Sequence, residues 1–175
     1  MTLPANKTGI FAVTLLVFLF LSACGYQMVG KETHVPPGLS SVAIPTFKNT
    51  TYEPGIEIQF TQAFLREFIL DRRVNVVDRA QADSILEGVI RYFTLYSVSY
   101  DQSGHVLEYQ TTVTLDLTLK DKTGKVLWDQ KGIFETQWFR ASSSALTYEA
   151  NKAVAIQQIG ALVAGRIRNR FFYNF

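Results

Sequence analysis

One cysteine, Cys24, and two histidines, His34 and His105, are all this chain of 175 residues offers of the side chains that most often bind metals or form disulfides. A lone thiol cannot build an intrachain disulfide, a dithiol redox pair or a zinc cluster. The fold must therefore hold by packing. His34 lies in a Pro/Gly-containing stretch and His105 beside a turn, where solvated imidazoles are expected. Gly-x-Ser-x-Gly, the phosphate-binding Gly-x-x-x-x-Gly-Lys-Ser/Thr loop, Gly-x-Gly-x-x-Gly and His-Glu-x-x-His are all missing, which removes the enzyme classes those patterns mark. Asp78 and Asp83 are close in sequence but lie in a polar connection. The reading is of a non-enzyme with no catalytic residues, no metal and no cofactor. Seventeen basic residues against fifteen acidic ones leave a formal charge of +2. No concentrated basic footprint points to nucleic acid, and no apolar run reaches the ~20 residues that a membrane span requires.

The N-terminus does carry a shorter apolar run. Ile10 to Leu21 is apolar except for Thr14 and follows a polar segment with one cation, Lys7. That length suits the hydrophobic region of a secretory signal. It ends in Leu21-Ser22-Ala23-Cys24, an order that resembles the bacterial lipobox. The resemblance implies that the Cys24 thiol is diacylated, that the chain is cut before Cys24, and that the new amine is acylated. More than one acyl chain gives stable attachment where a single chain is marginal. Gly25 stands where an aspartate retains lipoproteins in the inner membrane of enteric-type bacteria, so delivery to the outer membrane is expected. The expected organisation is a signal peptide over 1–23, a lipidated N-terminus and tether over 24–39, and a single domain over 40–175. Pro36-Pro37-Gly38 stiffens and then turns the end of the tether.

Within the domain, the β-branched alternation of Ser41–Phe47 predicts a strand, with Pro45 placing it at an edge or near its end. Lys48 to Gly55 breaks the pattern. Ile56 to Arg72 predicts a helix with Ile58, Thr61, Phe64, Leu65, Phe68 and Ile69 on its apolar face. Val74–Val77 predicts a short strand, which completes a strand–helix–strand unit. Ile85–Tyr100, Val106–Lys120 and Lys125–Trp138 predict a three-strand meander. Its two turns, Asp101–Gly104 and Asp121–Gly124, share the form Asp-x-Ser/Thr-Gly, in which the acid caps its own backbone and Gly takes the left-handed position. In the middle strand Leu107 to Leu119 alternate with Glu108 to Lys120, a pattern with one apolar and one polar face. Leu86, Ile90, Tyr92 and Tyr96 extend the apolar face on one side. Val126, Trp128, Phe134 and Trp138 extend it on the other, with Gly132 a candidate bulge. Ser142-Ser143-Ser144 supplies N-caps for a helix from Ala145 to about Asn169. Leu146, Ala150, Ala153, Ile156, Gly160, Ala164 and Ile167 share one side of it, small enough to lie close on the sheet. Arg166, Arg168 and Arg170 suit its C-terminal dipole. The expected fold is α+β: a two-layer sandwich, with two helices packed on one face of a mixed, mainly antiparallel sheet of four to five strands and a polar face left open.

Several segments in order resemble the LptE family of lipopolysaccharide-assembly outer-membrane lipoproteins. They are Cys24-Gly25-Tyr26, then Val42-Ala43-Ile44-Pro45-x-Phe47-x-Asn49-x-Thr51, and Tyr52 to Glu57. Ala82 to Gly88 and Gly124-Lys125-Val126-Leu127-Trp128 follow. The resemblance covers nearly the whole chain after Cys24. It implies a role without chemistry: plugging and helping to assemble the LptD β-barrel, and contacting lipopolysaccharide on its way to the outer leaflet. The implied partners are an LptD-type barrel, lipopolysaccharide, and the outer membrane through the lipid on Cys24. The domain would then lie on the periplasmic side or in the barrel lumen, where a polar face suits a polar wall. Lipopolysaccharide is polyanionic, so cations on that face are its candidate contacts: Arg91, Lys120, Lys122, Lys125 and Lys131. Two rival readings remain. One is an adaptor lipoprotein of another envelope machine, such as a secretin pilotin or a curli-type secretion component. The other is a lipid carrier, which would need an apolar cavity where this core looks filled by aromatics.

Overall fold

The structure is a computed structural model that describes residues 39–71 and 73–173, with side chains described through Arg170. The expected signal peptide, Cys24, nearly all of the tether, and the side chains of the aromatic tail lie outside the described residues. Among the described residues, six strands and two helices follow in order. They are β1 (Ser41–Ala43), β2 (Lys48–Asn49), α1 (Ile56–Asp71), β3 (Asn75–Val76), β4 (Ser84–Tyr100), β5 (Val106–Asp121), β6 (Val126–Arg140) and α2 (Ala145–Tyr173).

The sheet order is β3-β1-β4-β5-β6, with β2 also paired to β4. β1 runs parallel to both β3 and β4, so β1–α1–β3 is the strand–helix–strand unit expected. β4, β5 and β6 form the antiparallel meander. The architecture is the α+β sandwich expected, on a slightly larger sheet. The strand expected over 41–47 ends at Ala43, and a second short strand forms just beyond that range, at Lys48–Asn49. The chain leaves the sheet after Ala43, at the segment holding Pro45, and rejoins β4 where Lys48 and Asn49 pair with Val89 and Ile90. The detour lets Phe47 cross over Gly88, where a Cβ would stand 2.5 Å from the ring. Phe47 then packs on Phe64 at 5.0 Å between ring centroids. Its backbone N–H donates to the buried Thr61 hydroxyl of α1 at 2.9 Å.

The core lies between the helices and the inward side of the sheet. Val113, Leu115, Leu117 and Leu119 are fully buried. They meet Phe60, Phe64 and Phe68 of α1 and Ile156, Ile159, Val163 and Ile167 of α2 in one cluster. The inward face of α1 is rotated from the one expected: Ile56, Phe60 and Ala63 are buried, whereas Ile58 and Ile69 are exposed. α1 must bury residues against α2 as well as the sheet, and this draws the Phe60 side inward. The face of α2 also differs. Ile156, Gly160, Ala164 and Ile167 are buried as expected, but Leu146, Ala150 and Ala153 are exposed while Ala155, Ile159 and Val163 are buried. Gly160 faces α1 rather than the sheet, since a Cβ there would lie 3.3 Å from that of Ala63. Arg166 and Arg170 clasp the outer edge of β6, donating to the Phe134 carbonyl at 3.0 Å and to Gln130 at 2.8 Å.

Both Asp-x-Ser/Thr-Gly turns form as the sequence predicts. Asp101 Oδ1 accepts from the backbone N–H of Ser103 and His105, and Asp121 Oδ1 from those of Thr123 and Lys125. Gly104 and Gly124 take φ of 83° and 90°, a region costly for other residues. Beside the Asp121 turn, Asp83 accepts from the hydroxyls of Ser40 and Ser41 and fastens the entry of β1 to β4.

Candidate functional site

Among the described residues, the outward face of β4–β5–β6 is a broad surface left free by the helices. Residues paired across strands share a face, so the register assigns each side chain. On β5 the outward set is Glu108, Gln110, Thr112, Thr114, Asp116, Thr118 and Lys120, as the alternation predicts, because the odd-numbered Val113 to Leu119 are buried.

The two flanking strands depart from simple alternation at the same height. Ile90 pairs with Leu115 and Tyr92 with Thr114, which makes Arg91 an extra residue on β4. Leu117 pairs with Gln130 and Leu115 with Ile133, so Asp116 faces both Lys131 and Gly132 on β6. Gly132 has φ of 66°, consistent with the bulge expected there. Each extra residue shifts the pleat by one. Tyr92, Tyr96, Phe134 and Trp138, expected on the apolar face, are therefore on the outward face. They are 67%, 63%, 63% and 55% exposed. Val126 is exposed too, next to a further irregularity between Leu119 and Lys120. Trp128 keeps its inward position and packs against the core. The open face is thus not uniformly polar.

It divides into two zones. Below the bulges it is charged. Lys120 donates to Glu87 at 2.6 Å, and Arg79 lies 3.9 Å from the same carboxylate. Above the bulges lie three uncharged rows, Tyr92–Thr114–Phe134, Thr94–Thr112–Thr136 and Tyr96–Gln110–Trp138, and beyond them the charged pair of Glu108 and Arg140. Thr112 and Thr136 share a hydrogen bond of 2.7 Å between their hydroxyls. At the boundary the Asp116 carboxylate ties the bulges together. It accepts from Arg91 Nε at 2.7 Å and from the backbone N–H of Gly132 at 2.9 Å. Burial raises the Asp116 carboxyl, but the Gly132 N–H, Arg91 and the nearby Lys131 outweigh it and hold the group below the usual carboxylate range.

The five predicted cations are not one cluster. Arg91 and Lys131 flank Asp116 at the seam, and Arg91 is ion-paired with it. Lys120 is on the charged zone and paired with Glu87. Lys122 and Lys125 sit on the exposed β5–β6 turn. Lys122, Lys125 and Lys131 make no salt bridge among the described residues. The four outward aromatics escaped prediction. The signal for their position was the glycine at 132; on β4 simple alternation puts Arg91 on the polar face and gives no sign of the extra residue.

A groove of about 600 Å³ opens elsewhere, at the C-terminal ends of β1 and β3, beside Pro45, Leu65 and Arg79. It contains none of the predicted site residues. Among the described residues no group of three His, Cys, Asp or Glu side chains could hold a metal ion, and no helix is long and apolar enough to cross a membrane.

The fold is a two-layer sandwich with helices on one side and a broad sheet surface on the other. Residues 39–171 match the LptE family, described as lipopolysaccharide-assembly, and the chain belongs to that family. No curated protein matches it. Among solved structures it is similar to lipoprotein B from Nitrosomonas europaea, 14% identical over 79% of this chain and 88% of that one, with a TM-score of 0.52. It is also similar to a Caulobacter crescentus protein at 13% identity, 77% and 90% coverage and a TM-score of 0.50. For the rare lipoprotein B of Shewanella oneidensis the values are 16%, 70% and 90%, with a TM-score of 0.48. At such identities the first two likenesses speak to the fold alone.

Proposed function

We propose that this chain is a non-enzymatic, lipid-anchored outer-membrane protein that plugs and helps assemble an LptD-type β-barrel and assists lipopolysaccharide on its way into the outer leaflet. In this reading residues 1–23 are removed, Cys24 carries the lipid, residues 24–39 are the tether and 40–175 form the working domain. The family match supports the role in lipopolysaccharide assembly. The observation that carries the reading is the free outward face of β4–β5–β6, which offers a barrel wall or a glycolipid a broad surface without obstructing helices. A tether raises the domain's local concentration near such a barrel. Arg91, Lys120, Lys122, Lys125 and Lys131 are the proposed contacts to lipopolysaccharide phosphates. Lys122, Lys125 and Lys131 lead, because they need not give up a carboxylate partner first.

The test is gentle solubilisation of outer membranes carrying a C-terminally tagged chain, followed by identification of what co-purifies. An LptD-type barrel is the expected result. Recovery of a different envelope machine would favour an adaptor role instead, and recovery of neither would end the proposal. Cys24→Ala run in parallel should release the chain from membranes if the barrel does not hold it.

A further inference from the structure

We infer that the distal half of the outward face is a saccharide platform, and that its ligand is the sugar portion of the glycolipid whose phosphates meet the seam cations. This rests on the reading that the chain contacts lipopolysaccharide directly. Three features carry it. The first is the layout. Tyr92 and Phe134 end one row, and Tyr96 and Trp138 end another. Strand geometry sets these corners about 13–14 Å apart along the strands and about 9–10 Å apart across them. The second is the floor between them, which is only hydroxyl and amide: Thr94, Thr112, Thr136, Thr114 and Gln110. The third is the absence of any charge in the three rows, although Arg91 and Lys131 stand one row below and Glu108, paired with Arg140, one row above.

A sugar ring has the matching chemistry. One or both of its faces present polarised C–H bonds, which favour the electron-rich face of an aromatic ring. Its edges present hydroxyls, which both donate and accept, as Thr and Gln do. An acyl chain would leave the threonine hydroxyls unpaired on burial, at a cost. A charged peptide would find no counter-charge in the three rows. A glycan phosphorylated at one end fits both parts at once, its neutral rings on the platform and its phosphate toward the seam.

The test uses the folded chain and deacylated lipopolysaccharide oligosaccharide as the probe, with intact lipopolysaccharide alongside. Binding is followed by Trp138 and Trp128 emission and by amide shifts of Thr112 and Thr114. The wild type should bind the oligosaccharide. Tyr96→Ala with Trp138→Ala should weaken it by roughly tenfold or more, as loss of stacked anchors does, and Trp138→Tyr should restore most of it. These side chains are exposed, and an unchanged thermal midpoint shows that the variants fold. Should intact lipopolysaccharide bind but not the oligosaccharide, or should the variants bind the oligosaccharide like wild type, the platform is overturned while direct lipopolysaccharide contact stands. Should the variants lose only the co-purifying barrel, the face is a protein interface and the platform is again overturned. Should the wild type bind neither probe, direct contact and the platform fall together.

Discussion

Arg91 Nε donates to Asp116 Oδ2 at 2.7 Å, from an extra residue on one strand to a carboxylate whose other oxygen holds the extra residue of the opposite strand. Asp116 is thus the stitch through which two β-bulges are kept at one height. Asp116→Ala should remove both contacts and cost about 1–2 kcal/mol, the scale of hydrogen bonds to a partly exposed charged group. Asp116→Asn keeps an acceptor for Gly132 and should lose less than half as much. Urea unfolding midpoints decide the matter, and an Ala variant as stable as wild type would show that the bulges hold without the stitch.

Gly88→Ala should be among the most damaging single-methyl additions in the chain. The new Cβ would sit 2.5 Å from the Phe47 ring, and that ring is itself buried against Phe64. Overpacking of this kind costs about 1–3 kcal/mol. Gly88→Ala combined with Phe47→Leu should recover part of the loss in a thermal melt. Failure of the pair to recover anything would mean that the strain lies in the β4 backbone.

Stability should fall in acid through four aspartates. The carboxyls of Asp83, Asp101 and Asp121 are lowered chiefly by the Ser40 hydroxyl, the His105 backbone N–H and the Thr123 hydroxyl, respectively. Asp116 is lowered despite burial. A lowered carboxyl means that the unfolded chain binds protons first, so their stabilisation is complete above the unfolded value of about 3.9. It is lost as pH falls through the folded values. Thermal midpoints should therefore be level near neutrality and decline below about pH 4. Asp116→Asn should make the decline shallower, and an unchanged slope would remove Asp116 from the account.

What could be read from sequence follows how many constraints each segment answers to. β5 is flanked on both sides, so its alternation from Tyr109 to Lys120 had one solution and the structure keeps it. The Asp-x-Ser/Thr-Gly turns were equally legible, because their backbone demands are local. The helical spans were legible as well, but not their inward faces. Periodicity places Ile58 and Ile69 with Phe64, yet α1 packs on α2 as well as on the sheet, and a period alone carries no record of the second neighbour. β4 and β6 failed differently. Alternation assumes that no residue is added, and one extra residue in each strand sent Tyr92, Tyr96, Phe134 and Trp138 to the side opposite the one expected. The cations were found as residues, but their distribution into seam, charged zone and turn depended on pairings such as Lys120 with Glu87.

A pleated strand offers a side chain only two addresses, inward or outward. An inserted residue repeats one of them, adding a second outward address next to the one that alternation supplies. Arg91 occupies such an address: the rows on either side of it stay aligned with β5, and no core or aromatic position is surrendered to make room for the cation. A sheet of this kind acquires a charged border between two chemistries by growing one residue longer, rather than by replacing anything it already has.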